Sequence, residues 1–136
     1  MTKKFLMSEY KLIIEGQIVS KANSRRLVPR GNGRFGNIKS VKAMKLEADA
    51  LTQLKNQWGR KSPLPWDGTK KKGWLGVEFI IYYPSNQQDI DPSLVMDILQ
   101  KAGVYTNDRQ VREYFARKEF DKDRPRAEIT IYQLDE

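Results

Sequence analysis

The pattern of apolar and polar residues marks six stretches of the chain as regular elements. Tyr10–Val19 (YKLIIEGQIV) is dense in β-branched and aromatic residues and predicts a strand. Ile38–Trp58 places Val41, Met44, Leu46, Ala48, Leu51, Leu54 and Trp58 mostly at three- and four-residue steps, the signature of an amphipathic helix. Trp74–Tyr83 (WLGVEFIIYY) predicts the strongest strand, stopped by Pro84-Ser85-Asn86. Pro92–Ala102 gathers Leu94, Val95, Ile98, Leu99 and Ala102 on one helical face, with Gly103 to end it. Val111–Phe120 alternates poorly, but Tyr114 and Phe115 favour a strand, and Ala127–Leu134 (AEITIYQL) alternates well as the last one. Between these lie Ser20–Gly36, with a proline, three glycines and two asparagines, read as a loop or hairpin arm, and the loop Gly59–Gly73. The order β–α–β–α–β–β predicts a single α+β domain over 1–136, with a small mixed sheet packed by two main helices.

Composition narrows the chemistry. At 136 residues the chain fits one domain of the usual size of about 100–200 residues. It has no histidine and no cysteine, which excludes disulfides, thiolate nucleophiles, imidazole bases and Cys/His zinc sites. Catalysis would have to use carboxylates, lysines, hydroxyls or a hard, oxygen-bound metal. No apolar run approaches the roughly 18–20 residues of a bilayer span, and Met1–Tyr10 lacks the apolar core of a signal peptide, so a cytoplasmic protein with no membrane partner is expected.

The net charge of +8 is unevenly divided. Residues 1–75 hold 17 basic and 5 acidic side chains, a balance of +12; residues 76–136 hold 8 and 12, a balance of −4. Lys21, Arg25, Arg26, Arg30, Arg34, Lys39, Lys42 and Lys45 follow one another without an intervening acid. Such a run fits a polyanion, nucleic acid before an acidic membrane surface, although a basic face can also serve solubility alone. Lys39, Lys42 and Lys45 advance by three and would form a stripe on the first turns of the predicted helix.

The candidate chemistry lies between Gln87 and Arg112. Asp89 and Asp91 stand two apart beyond a strand, a spacing that can aim two carboxylates to one side and suits Mg²⁺ or Mn²⁺. Asp108 follows the second helix, whose return can carry it back toward that pair, and Asp97 lies within the helix, facing either site or solvent. Each has an ordinary structural reading as well. Asp91 before Pro92 has the form of an N-cap, and Asp108 in Thr106-Asn107-Asp108 that of a turn residue.

The same stretch resembles the RusA family of Holliday-junction resolvases, small endonucleases typical of phages and prophages. Asp89-Ile90-Asp91 matches the family's DxDN pair, Asp97-Ile98-Leu99 its helix aspartate and leucine, and Asn107-Asp108-Arg109-Gln110-Val111 its DDxxV element. Lys118 fits a basic residue common in the following strand, and Ser20–Arg34 stands where the family has a basic arm. The similarity runs from about Tyr10 to Leu134. Three positions depart from it: Pro92 replaces an asparagine, Val95 a lysine thought to assist catalysis, and Asn107 the first aspartate of the DD pair.

The resemblance implies a homodimer that resolves four-way DNA junctions by paired symmetric nicks in recombination and repair. It also implies Asp89, Asp91 and Asp108 as catalytic ligands of one or two Mg²⁺ ions, or Mn²⁺. Lys101, one turn after Asp97, or Lys118 would then supply the charge that Val95 lacks. Lys21, Arg25, Arg26, Arg30 and Arg34, with Lys39 and Lys42, would track phosphates, and Phe35 or Trp66 would pack at the junction opening. Two alternatives stay open: a non-catalytic DNA- or RNA-binding module whose acids are caps and turns, and another Mg²⁺-dependent nuclease. A PD-(D/E)xK arrangement is not among them, because Glu9-Tyr10-Lys11 has no upstream acidic partner, and glycine-rich nucleotide fingerprints are absent.

Overall fold

A computed structural model describes residues 9–19, 25–31, 34–39, 41–66, 73–86 and 90–134, with 25–31 and 34–39 described through their backbone pairing. The central strand is β4 (Leu75–Tyr83), the most apolar segment of the chain. It runs parallel to β5 (Val111–Phe120) on one side and antiparallel to β6 (Arg126–Gln133) on the other. Beyond β6 lies β1 (Glu9–Glu15), which gives the mixed sheet the order β1-β6-β4-β5. The period of two sends Leu12, Ile14, Val77, Phe79, Ile81, Ala127, Ile129 and Ile131 to one face, where each is buried. Glu78, Ile80, Tyr82, Glu128 and Thr130 take the other, half-open face.

Two helices cover the buried face. Helix α1 (Val41–Trp58) lies against β1 and α2 (Ser93–Lys101), and buries Ala43, Leu46, Glu47, Ala50, Leu54 and Trp58. Helix α2 contributes Leu94, Val95, Ile98 and Leu99 and forms the crossover between the parallel pair β4 and β5. Gly103, at φ 79°, ends α2 in a left-handed turn: its N–H donates to the Gln100 carbonyl and that of Val104 to the Leu99 carbonyl. This is the pairing that satisfies carbonyls orphaned at a helix end.

The expectation of an α+β domain with a mixed sheet and two helices matches this structure. Several details differ. Part of the basic arm forms a hairpin of its own, β2 (Arg25–Gly31) paired antiparallel with β3 (Arg34–Lys39), outside the four-stranded sheet. The first helix therefore begins at Val41 and not Ile38, because Ile38 is committed to pairing with Arg26 and Lys39 with Arg25. The basic stripe breaks for the same reason: Lys39 ends a strand, and Lys42 and Lys45 are exposed on α1. Val41 and Met44, read as core positions, are 70% and 55% exposed, and the buried stripe runs instead through Ala43 and Glu47. The first strand stops at Glu15, where Gly16, at φ 116°, turns the chain, while Ile18 and Val19 are buried beyond it.

One edge of the sheet is closed by side chains. Gln57 on α1 accepts the Ile13 N–H at 2.8 Å and donates to the Ile13 carbonyl at 2.7 Å. Gln53 does the same for Glu15, at 2.7 and 3.1 Å. These two amides act as a substitute neighbouring strand for the end of β1, so its outer backbone groups at Ile13 and Glu15 are occupied.

Candidate active site

The loop between α2 and β5 is built before it is functional. Leu64 forms an isolated parallel bridge with Tyr105, its N–H donating to the Val104 carbonyl at 2.9 Å. Gln110 is fully buried and ties the loop together: its Nε2 donates to the carbonyls of Leu64 (3.1 Å) and Pro65 (2.9 Å), and its Oε1 accepts the Thr106 N–H (3.2 Å). The Thr106 hydroxyl adds a bond to the Leu64 carbonyl at 3.0 Å. Asn107 caps the short 3-10 turn Asp108–Gln110 by accepting the Arg109 N–H at 2.8 Å. An asparagine oxygen performs that cap as an aspartate would, so the departure at Asn107 preserves the turn.

The loop is then clamped to α2. Gln100 Oε1 accepts the Asp108 N–H at 2.8 Å, and the Tyr105 hydroxyl donates to the Met96 carbonyl at 2.9 Å. The result is an open cleft of about 450 Å³ lined by Asp97, Gln100, Lys101, Asn107, Asp108 and Arg109. Asp97, whose orientation the sequence left open, faces this cleft and stands with Asp108. Both negative charges reach Tyr105: burial first, then Asp108 and Asp97, push its phenol far above the usual range and keep it a neutral donor.

The cations around the cleft are individually placed. Lys101 on α2 forms an ion pair with the nearly buried Glu47 of α1, which draws the lysine against the cleft wall while half its side chain stays exposed. Arg109 lies over the Trp66 ring at 5.9 Å, and Trp66 packs against Trp74 with ring centroids 6.0 Å apart. Trp66 is thus half-buried in a stack beside the cleft, its indole N–H without a hydrogen-bond partner among the described residues. Lys118, on β5 opposite Ile81, reaches Asn86 Oδ1 at 2.9 Å and so marks the loop that leads from β4 toward Asp89.

Asp91 occupies a different place. Its Oδ1 accepts the Ser93 N–H at 3.0 Å across Pro92, the N-cap residue at the start of α2. Asp108 sits by the last turn of the same helix, a nine-residue segment that rises about 13 Å along its axis. Asp97, between these ends, is the carboxylate that shares Asp108's cleft. Asp89 and Lys21 lie outside the described residues, as do the side chains of Arg25, Arg26, Arg30, Arg34, Phe35 and Lys39. Among the described residues no three carboxylates converge on one point.

Val95 is fully buried in the core. A lysine there would face apolar packing, whereas Lys101 stands at the cleft itself. The residues that sequence reasoning passed over are Gln100 and Gln110, both glutamines whose amides fix backbone; Gln110 lies inside the matched Asn107–Val111 element and Gln100 directly follows the matched Asp97-Ile98-Leu99. Asp108 differs from its neighbours in one respect: its carboxylate accepts no hydrogen bond and no ion pair among the described residues, while its backbone is fixed from both sides. Pre-fixed, oxygen-only and without a protein donor, it has the donor chemistry that a hard divalent cation requires, and Asp97 can supply a second oxygen ligand beside it.

Among the described residues no helix is long and apolar enough to cross a membrane. No individual curated protein matches the chain. The family model described as endodeoxyribonuclease RusA matches residues 18–132, from just beyond β1 into β6, and takes in both helices, the Asp108 loop and the basic hairpin. A match of that length shows that the chain belongs to the RusA family of endodeoxyribonucleases.

Proposed function

We propose that this protein is a divalent-metal-dependent endonuclease that resolves four-way DNA junctions by paired symmetric nicks, acting as a homodimer in the cytoplasm. The observation that carries the reading is the Asp108 carboxylate, which accepts no hydrogen bond among the described residues and lies beside Asp97 and Lys101 on a hydrogen-bonded loop, in a chain of this family. Asp108 and Asp97 would hold Mg²⁺ or Mn²⁺ in this cleft, whereas Asp91 stands at the other end of α2. When bound, the metal polarises a phosphodiester and lowers the pKa of a coordinated water.

The protein's own groups have separate tasks. Gln100 and Gln110 hold the Asp108 backbone so that its carboxylate does not reorganise when a phosphate arrives. Lys101, steered by Glu47, puts a positive charge at the rim where phosphate charge accumulates, and Lys118 does the same at the Asn86 loop. The exposed Lys42 and Lys45, with the arginines of the β2–β3 hairpin, supply phosphate contacts that position the duplex arms. The acidic half of the chain repels DNA until cations offset it, which makes substrate approach and metal binding interdependent.

The test is a gel assay of a mobile four-way junction, a linear duplex and a flap, each with Mg²⁺, Mn²⁺ or EDTA. Paired nicks confined to the junction and lost in EDTA are the expected result. Binding without cleavage under every condition would show a DNA-binding module instead, and equal cleavage of all three substrates a less selective nuclease.

A further inference from the structure

The cleft is lined by two carboxylates and two cations, and the cations are not equivalent. Lys101 is ion-paired with Glu47, so much of its charge is already answered within the protein. Arg109 is exposed, and among the described residues its guanidinium meets no carboxylate; it meets the face of Trp66, 5.9 Å from the ring centroid. A ring face attracts a guanidinium through its quadrupole and leaves the N–H fork, which lies in the guanidinium plane, open to an acceptor. The charge is thus held in place without being neutralised.

Both sides of that contact are fixed. Arg109 is the middle residue of the 3-10 turn Asp108–Gln110, and its N–H is bonded to Asn107 Oδ1 at 2.8 Å. The residue before it carries the Asp108 carboxylate, and both residues line the one cleft. Trp66 is held through its chain neighbours. The Pro65 carbonyl accepts from the buried Gln110 amide, and Gly73 passes so close that a Cβ there would fall 2.7 Å from the Pro65 oxygen and 2.8 Å from Trp66 Cδ1. Trp74 packs against Trp66, and its own carbonyl accepts the Leu134 N–H at 3.0 Å, which ties the pair to the end of β6. Gln110 therefore belongs to the turn that carries Arg109 and anchors the segment that carries Trp66.

We propose that Arg109 is the phosphate-binding residue of this cleft and Trp66 the residue that positions it, so that the guanidinium engages two non-bridging oxygens of a backbone phosphate beside Asp108. A planar fork matches a pair of phosphate oxygens, which a point charge such as an ammonium does not. Charge selects Arg109 over its neighbour. Lys101 would have to share itself with Glu47, whereas Arg109 has only a ring face to keep, and it can keep that face while its fork is occupied. The DNA substrate named here rests on the endonuclease reading above; contact between Arg109 and phosphate is measured separately from cleavage.

Binding of a four-way junction is followed by fluorescence anisotropy across a salt series, in EDTA and again in fixed Ca²⁺. One phosphate contact contributes about 0.9 to the slope of log affinity against log salt. Arg109→Met should lose about that much of the slope and bind about tenfold more weakly at low salt, with an unchanged urea midpoint. Arg109→Lys should keep the slope, because the charge remains, yet cleave with Mg²⁺ at least about tenfold more slowly at saturating protein, because the fork is lost. Trp66→Leu should behave like the lysine variant; the arginine variants, altered at an exposed side chain, decide the phosphate contact even where Trp66→Leu does not fold. Unchanged affinity and slope for Arg109→Met in both media overturns the proposal. So does weaker binding at an unchanged slope, which would make the site a base-stacking surface. Wild-type cleavage by Arg109→Lys overturns it too, since a point charge has no need of Trp66. A wild-type protein that binds junctions and cuts nothing sinks the endonuclease reading instead, and the slope comparison still decides Arg109.

Discussion

Gln110 is the residue on which the loop of the candidate site depends most, and replacing it by leucine isolates that dependence. The two side chains are close in size, so packing is nearly conserved. The hydrogen bonds are not. The Leu64 carbonyl keeps its bond from the Thr106 hydroxyl, whereas the Pro65 carbonyl and the Thr106 N–H each lose the partner Gln110 supplied. A buried backbone group left unsatisfied costs about 1–3 kcal/mol, and these two are only partly buried, which places the loss at about 2–3 kcal/mol in total. For a domain of this size each kcal/mol lowers Tm by roughly 3–5 °C, so a fall of about 6–15 °C is expected in thermal unfolding followed by circular dichroism. Gln110→Glu should be worse at neutral pH, because a carboxylate cannot donate and would face two carbonyls, and partly recovered in acid once it carries a proton. Cleavage measured well below both transitions should fall on the order of 100-fold, as expected when a reacting group is displaced by about 1 Å. If Gln110→Leu costs under about 0.5 kcal/mol, or cuts at the wild-type rate, the buried amide does not hold the site.

The other predictions separate chemistry from stability. Asp108→Asn and Asp97→Asn should each reduce metal-dependent junction cleavage at least about 100-fold. For Asp108, whose carboxylate makes no hydrogen bond among the described residues, urea unfolding should change by less than about 0.5 kcal/mol. Val95→Lys should not restore a missing charge; at a fully buried position it should lower stability by roughly 3 kcal/mol or more, read from the urea midpoint. Removing Gln53 and Gln57 together should cost about 1–3 kcal/mol and expose the β1 edge, read as concentration-dependent aggregation in light scattering. Acid unfolding should reflect two depressed carboxyls: Glu15, held low by its hydrogen bond from Arg124, and Asp121, held low by Arg126 and then by the Arg124 N–H. A folded-state pKa below the unfolded one stabilises above the unfolded value, about 4, and that contribution disappears as pH falls through the folded value. The Tm should therefore drop below about pH 5, with a shallower slope in Arg126→Met.

The outline of the fold was readable from the chain because its strands and helices are strongly periodic. WLGVEFIIYY and AEITIYQL could hardly be anything but strands, and Leu94, Val95, Ile98 and Leu99 could share a face only in a helix. The misplacements have a common source. Ile38 and Val41 satisfy a helical period by count, but Ile38 was claimed by a hairpin whose partner, Arg26, lies twelve residues earlier, and periodicity carries no information about such pairing. Glu47 is acidic and so was never a core candidate, yet a lysine 54 residues away makes its burial tolerable.

Composition and spacing alone determined that any catalytic chemistry here would rest on oxygen ligands. They also divided the chain into a basic and an acidic half and marked Asp89, Asp91 and Asp108, with Asp97 beside them, as residues of interest. Those conclusions follow from residue identity and local order. Tertiary structure decided which carboxylates meet. Asp97 and Asp108 share a cleft because α2 and the Gln110-held loop fold against each other, while Asp91 bonds the Ser93 N–H at the far end of the helix. It also decided that Val95 belongs to the core and Lys101 to the cleft, and that two glutamines of α1 occupy the outer backbone of β1. All of these depend on groups distant in sequence and adjacent in space, and hydrogen bonds and packing across such distances are fixed only when the whole chain is folded.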